Sequence, residues 1–444
     1  MTDLADRNPS TDDPVDELNA WLEENWDPDL TVAEWWERLG TAGWAHPSLP
    51  ENAYGKGLSR GDAVRAQNAI AEFGALGAPG GLGLLLAAPT IASHGTPEQI
   101  ERYVRPIVTG QQAWCQLFSE PGAGSDLAGL NCKAVKDGDE WIVTGQKVWT
   151  SGGQIADMGM LIARTNIEVP KHQGITYFAM DMHQAKAVDV RPLTEMTGRA
   201  MFNEVFMDEA RVEDAAVIGG LNNGWAVANT TLMFERAGLG AGGSGGGSSA
   251  TPGTIAGDLP KRAGDFVTAR PRGGAAAQGG GGGGARRGGN MYVDLARARG
   301  KLDDPIVRQG LAKLHTLNEI ARFNNLRSKA ARAAGTPDIP GLPNISKLAM
   351  SDILRLQRDL GLGILGMSGT LHAYTPEDRK KLDEATGDPF TVFITEGALF
   401  AQGPPIYGGT DQIQRNIIGE RVLGLPKEPN QDKVMAYKDL PKNG

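Results

Sequence analysis

The chain of 444 residues has two cysteines, Cys115 and Cys132, in one region. Two thiols cannot supply the disulfide framework of a small secreted fold, so both read as small apolar residues in a reducing compartment. A basic surplus is missing as well: 44 lysines and arginines face 53 acidic residues, for a net charge of −9. That balance excludes the clustered positive surface of a nucleic-acid-binding protein. Long hydrophobic runs are also absent. The most apolar stretch, Leu76 to Ala92, is broken by Pro79, Pro89 and four glycines. It reads as buried helix ends around a turn, and no membrane span is expected. The N-terminus, Met1-Thr-Asp-Leu-Ala-Asp-Arg, is polar and carries no signal pattern, so the expected compartment is the cytoplasm. No metal site is expected.

What is present is an ordinary globular balance, 40% apolar and 22% charged, on a chain long enough for several subdomains. From Val15 to about Ile107 the pattern is helical. Leu18, Trp21, Leu22 and Trp26 line one face of an amphipathic helix, and Thr96 is placed as an N-cap with Pro97 in the first turn. Near Trp114 the character changes to β-branched and aromatic runs: Trp141-Ile-Val-Thr, Met158-Gly-Met-Leu-Ile-Ala-Arg and Ile175-Thr-Tyr-Phe-Ala-Met. Lys136-Asp-Gly-Asp-Glu-Trp has the chemistry of a hairpin turn. Residues 113–215 therefore read as a compact antiparallel β domain.

The helical period returns at Gly224, but 20 of the 61 glycines lie between 238 and 290. Such composition cannot bury enough apolar surface to offset backbone entropy, so the centre of this tract is expected to be disordered. Gly257-Asp-Leu-Pro-Lys-Arg-Ala-Gly-Asp-Phe-Val inside it is less random. The expected fold is mostly α with a central β domain. Its parts are an N-terminal helical domain (1–112), a middle β domain (113–218) and a C-terminal helical domain (219–444) interrupted by a glycine-rich insert at 240–290.

Phe118-Ser-Glu-Pro-Gly-Ala-Gly-Ser-Asp-Leu-Ala, just inside the β region, is a loop whose glycines and hydroxyls can approach a flat or anionic ligand. Taken alone it is equally a turn. The serines lack a nearby histidine partner and a nucleophile elbow, which argues against hydrolase chemistry. Leu232-Met-Phe-Glu-Arg-Ala-Gly sets a carboxylate, Glu235, in an apolar helical stretch, where burial should raise its pKa. A plainer reading pairs Glu235 with the adjacent Arg236.

As a string, the loop resembles the signature of acyl-CoA dehydrogenases. The resemblance extends to Gly95-Thr-Pro-Glu-Gln, Gly145-Gln-Lys-Val-Trp-Thr-Ser-Gly-Gly, Met196-Thr-Gly-Arg-Ala-Met-Phe, the Phe-Glu-Arg element and Tyr407-Gly-Gly-Thr-Asp-Gln-Ile-Gln-Arg. It implies a homodimer or homotetramer that binds FAD, removes the α and β hydrogens of an acyl-CoA and passes electrons to an electron-transfer flavoprotein. By position it implies flavin contacts at Gln116, Phe118, Ser119, Trp149 and Ser151. Thr410 and Gln412 match contacts to the far side of FAD, and Arg299 matches an arginine reaching FAD across a dimer interface. Ser125 corresponds to a position near the CoA arm, and Arg236 to a neighbour of the substrate. Many relatives carry the catalytic glutamate after the tyrosine, where this chain has Gly408. Glycine keeps the backbone N–H that holds the thioester oxygen, and the base moves to Glu235, as in the isovaleryl and long-chain branches. Glu396 is the rival carboxylate. A late-helix stretch, Leu362-Gly-Ile-Leu-Gly, lacks the glutamine usual in relatives. An oxygen-using flavoenzyme of the same fold and a non-catalytic subunit of a mixed complex are the competing functions.

Overall fold

Two leading helices, α1 (Pro14–Asn25) and α2 (Val32–Thr41), begin where their side chains can satisfy the first free backbone N–H groups. The Asp13 carboxylate accepts from Val15 N at 2.9 Å. Thr31 and Glu34 form a reciprocal capping box. The computed structural model describes residues 13–240, 249–267, 284–334, 336, 339–388 and 390–441. Leu18 and Leu22 of α1 are fully buried, while Trp21 and Trp26 pack as half-buried rings on Trp35. The expected apolar face is therefore the one that enters the core. The Trp35 and Trp36 indoles donate to the carbonyls of Leu76 and Gly77, which ties α2 to the segment after α3 (Arg60–Phe73). Helices α4 (Ala88–His94), α5 (Pro97–Gln99) and α6 (Arg105–Val108) complete this part, with Thr96 capping α5 as expected.

The sheet has eight strands: β1 (Trp114–Leu117), β2 (Lys133–Asp137), β3 (Glu140–Ser151), β4 (Met158–Arg164), β5 (Ile175–Asp181), β6 (Val188–Leu193), β7 (Phe202–Glu213) and β8 (Val217–Ile218). Their order is β6-β7-β3-β2-β4-β5-β8, with β1 beside β4. The hairpin forms where its turn chemistry lies, with Asp137 opposite Glu140 and Gly138 at φ +60. Most pairings are antiparallel, as expected, but β1 runs parallel to β4 and β2 meets β4 in parallel at one residue pair. Parallel neighbours need a long crossover. Here the β2–β3 hairpin and its flanking turns provide it, a long-range relation that local patterning does not encode. Every residue of β4 is buried, which explains its uninterrupted apolar sequence. Burial pushes the Cys115 thiol up to about 12 and the Cys132 thiol to about 11, so both are inert structural groups.

Helix α7 (Gly224–Gly240) carries Glu235. It packs with the N-terminal helices and the sheet: Val227 and Ala228 lie in their core, and Thr231 Oγ1 sits 3.0 Å from Thr90 Oγ1 and 3.4 Å from Tyr177 Oη. A separate core joins α8 (Gly284–Ala298), α9 (Pro305–Ala333), α10 (Leu342–Leu365) and α12 (Phe390–Phe400), built on Tyr292, Leu295, Leu314, Leu360, Ile364 and Ile394. Helices α11 (Pro376–Thr386) and α13 (Asp411–Ile417) flank it.

The glycine-rich tract differs from expectation in two places. Residues 284–290 belong to α8, and residues 249–267 form an ordered strap. Val32 N and Ala33 N donate to the carbonyls of Lys261 and Leu259, and Ala263 N donates to Leu30 O. Thr254 N donates to the buried Asp157 carboxylate at 3.2 Å. The strap is ordered because it borrows partners from other elements, so its own composition is a poor guide. Of the insert 240–290, whose centre is expected to be disordered, residues 241–248 and 268–283 lie outside the described residues, as do residues 1–12. Among the described residues no helix is long and apolar enough to cross a membrane.

Candidate active site

Two segments that the sequence separates are joined by a buried charge network. Lys147 Nζ donates to Glu120 Oε1 at 2.8 Å and to Phe118 O at 3.0 Å. The Lys147 side chain is 0% exposed and that of Glu120 is 7%. The Glu120 carboxylate also accepts from Asn131 N and Cys132 N, and Val148 N donates to Ser119 O at 2.9 Å. Together these bonds hold Phe118 and Ser119 against the end of β3. Neither Lys147 nor Glu120 is among the residues singled out from the sequence. Their signal was two charges set inside otherwise apolar or small-residue motifs.

The end of β3 is irregular. Lys147 pairs with Val205 and Thr150 with Asn203, so β3 carries one extra residue there, a β-bulge. Trp149 takes the strained position at φ +63, which a bulky residue rarely occupies. Trp149 as a whole is 56% exposed, and its indole rests edge-on against Phe202, with centroids 5.8 Å apart. Ser151, half-buried, pairs with Phe202. Phe118 is buried, its ring edge-on to Tyr177.

Glu235 is half-buried on α7. Burial pushes its carboxyl above the ordinary glutamate value, opposed by a hydrogen bond from Gln116 and by the charge of Arg236. Gln116 of β1 and Glu235 of α7 are thus brought together, and exposed Arg236 acts as a neighbouring cation. Glu396 is committed elsewhere, in an ion pair with Arg199.

Gly408 and Gly409 adopt φ +61 and +79, so the turn before α13 requires a left-handed backbone at both residues. Gln414 Nε2 donates to both of their carbonyls, at 3.1 and 3.3 Å, and Asn344 Nδ2 donates to Gln414 Oε1 at 2.7 Å. Thr410 caps α13 by accepting from Ile413 N, and Gln412 is exposed. Buried Asp411 receives Ser351, Arg355 and Lys347. Burial pushes its carboxyl up, but those three donors outweigh burial and hold it below the usual range. Asp411, between the selected positions Thr410 and Gln412, and Gln414, two residues beyond them, are structural residues that stood out by neither type nor spacing. Arg299 forms an ion pair with Asp388 of its own chain. Ser125 is exposed on the loop after Glu120, and the adjacent Asp126 is bound by Lys171. The described hydrogen bonds tie the Gly408 turn to α10 and α13 rather than to Glu235. Contact between the sheet and the C-terminal helices runs through Arg199–Glu396, His372 and Tyr374 near Thr197–Gly198.

The chain thus runs through a helical unit, a mixed sheet with an exposed tryptophan on a strained bulge, and a helical bundle. Three family models match in succession: the acyl-CoA dehydrogenase N-terminal domain at residues 14–111, the middle domain at 115–210 and the C-terminal domain at 272–423. The chain belongs to the acyl-CoA dehydrogenase family. It is 33% identical over 396 residues to acyl-CoA dehydrogenase IpdE1 of Mycobacterium tuberculosis, covering 89% of this chain and 88% of that protein. Among solved structures it is similar to the Tcur3481-Tcur3483 steroid ACAD (25% identity, TM-score 0.64, covering 93% of this chain and 97% of that one). The ChsE4-ChsE5 complex of Mycobacterium tuberculosis shares the fold at 24% identity, with a TM-score of 0.63 over 96% of this chain and 100% of that one.

Members of this family are FAD-dependent flavoproteins. The residues present fit that cofactor. A half-exposed indole held out at a strained bulge provides an uncovered ring surface, and the buried Lys147–Glu120 pair braces the two segments around it.

Proposed function

We propose that this chain dehydrogenates a bulky, ring-bearing acyl-CoA to its trans-2-enoyl-CoA, with Glu235 as the base. The observation that carries the reading is Glu235 itself, half-buried on α7 beside Gln116, with its pKa raised toward working pH while position 408 has no side chain. An α C–H is a weak acid, so its removal needs a positioned carboxylate and a donor for the developing charge on the thioester oxygen. In this reading Glu235 takes the α proton, and the Gly408 N–H holds the thioester oxygen in a turn stapled by Gln414. Arg236 limits the pKa rise. Gln116, Phe118, Ser119, Trp149 and Ser151 hold the ring end of FAD, and Thr410 and Gln412 the far end. FAD, when bound, accepts the hydrogen that leaves the β carbon with its bonding pair. The Asp388 pair leaves Arg299 the weakest of the cofactor residues.

The substrate class rests on likeness to a solved structure described as a steroid ACAD. Electron-transfer flavoprotein is the proposed acceptor. Anaerobic flavin bleaching by a panel of straight-chain, branched and polycyclic acyl-CoA thioesters tests the reading. Fastest bleaching by polycyclic thioesters is expected. Preference for straight chains would remove the substrate class, and bleaching by none would remove the activity. Faster reoxidation by air than by electron-transfer flavoprotein would favour an oxidase.

Two observations favour a second assembly. The end of α10 lacks the glutamine of relatives, and both solved relatives above have paired names. Native mass and flavin content of the chain purified alone separate a homo-oligomer from half of a mixed complex.

A further inference from the structure

The C-terminal tail beyond residue 423 lies outside the family models, yet it is docked on the sheet beside the loop that carries Ser125. Tyr437 N donates to Val169 O at 2.8 Å and Lys438 N to Ile167 O at 3.1 Å, so the tail backbone pairs with the segment after β4. The Tyr437 ring lies 3.7 Å from the guanidinium of Arg164. Its hydroxyl is 3.1 Å from Gly129 O, 3.0 Å from Leu130 O and 2.7 Å from Asn131 Oδ1, and donates to one of them at a time. Arg164, buried, donates to Ala128 O at 2.6 Å from beneath the same loop. A second link is ionic. Lys171 Nζ lies 2.9 Å from both carboxylate oxygens of Asp126 and also pairs with Asp432 of the tail. The side chain of Lys171 is only 8% exposed, so this bridge is better shielded than an ordinary surface pair.

We infer that the tail is part of the acyl-CoA-binding apparatus, with Tyr437 and Asp432 as positioning residues for the 122–131 loop. The inference rests on the proposed role of that loop, whose Ser125 faces solvent next to Asp126. Fixed at Asp126 by the Asp432–Lys171 bridge and at 129–131 by Tyr437, the loop meets the CoA arm already ordered. Without the tail, ordering that loop becomes a cost of binding. The effect therefore falls on substrate affinity, while a saturated enzyme turns over as before.

The test uses the full-length, FAD-loaded protein and two readouts: KM and kcat for a bleaching acyl-CoA, and the Kd of an S-alkyl CoA thioether, which cannot be dehydrogenated. Tyr437→Phe keeps the ring on Arg164 and loses only the hydroxyl. It should raise KM and Kd about fivefold with kcat unchanged. Asp432→Asn should act in the same direction. Lys186→Ala, at an exposed position outside the tail and the 122–131 loop, should change neither. Unchanged KM and Kd in both Tyr437→Phe and Asp432→Asn, or a fall in kcat alone, overturns the inference. A wild-type protein that binds no thioether and is bleached by no thioester counts instead against the proposed function.

Discussion

Lys147 and Glu120 form an ion pair at 2.8 Å that water scarcely reaches, and it is the joint between the two segments around Trp149. Removing one partner of such a pair leaves the other charge buried without compensation, at about 3–5 kcal/mol. Lys147→Met is expected to lower thermal stability by that order and to release flavin on gel filtration. Adding Glu120→Gln should recover part of the stability, because the amide oxygen can still accept from Asn131 N or Cys132 N. A double variant less stable than Lys147→Met would show that the pair is not the organising contact.

Glu235→Gln should keep bound FAD and lose its reduction by acyl-CoA by a factor on the order of 10²–10⁴. The raised pKa carries a second consequence. Between the ordinary value of 4.5 and the higher folded value, the folded chain binds more protons at this site than the unfolded chain does. Stability from this group is therefore lost as pH rises through that window. The glutamine variant should be at least as stable as wild type at neutral pH, with a flatter stability profile above 4.5. Retained flavin reduction would remove Glu235 as the base.

What the sequence made legible was local or carried by motif. The cap at Thr96, the Gly138 hairpin and the apolar face of α1 follow from residues within one turn of each other. The parallel β1–β4 pairing, the lodging of α7 in the N-terminal core and the order of residues 249–267 depend on partners far away in the chain. The candidate site divides the same way. Glu235 and Trp149 stand out by residue type. The hydrogen bond from Gln116 to Glu235, the Gln414 staple and the Arg299–Asp388 pair are relations between elements, and no spacing rule exposes them.

Gly408 is proposed to act through its backbone, and the φ of +61 separates that role from a side-chain one. Gly408→Ala keeps the N–H and adds a Cβ in the left-handed region, at about 1 kcal/mol. Thermal stability should fall accordingly, and flavin reduction at saturating acyl-CoA should fall less than about tenfold, far less than in Glu235→Gln. Gln414→Leu, which deprives both turn carbonyls of their donor, should cost more stability than Gly408→Ala. Equal losses of flavin reduction in Gly408→Ala and Glu235→Gln would contradict the division of labour between the backbone and the earlier helix.

Trp149 sits at φ +63 on a bulge with more than half of its surface exposed, so its backbone strain and its ring contribute to different properties. Replacement by alanine removes the ring and keeps a Cβ in the left-handed region. Replacement by glycine removes both. In an ordinary strand alanine is the more stable of the two, because glycine loses more backbone entropy on folding. At this bulge the order should reverse, with Trp149→Gly more stable than Trp149→Ala by about 1 kcal/mol. Both variants should bind FAD more weakly than wild type by similar factors, since both lack the indole. Thermal melts of the two apo-proteins and FAD titrations check the two parts separately. Alanine proving the more stable would mean that the bulge does not hold this residue left-handed, and FAD affinity surviving in both would mean that the indole does not cover the cofactor.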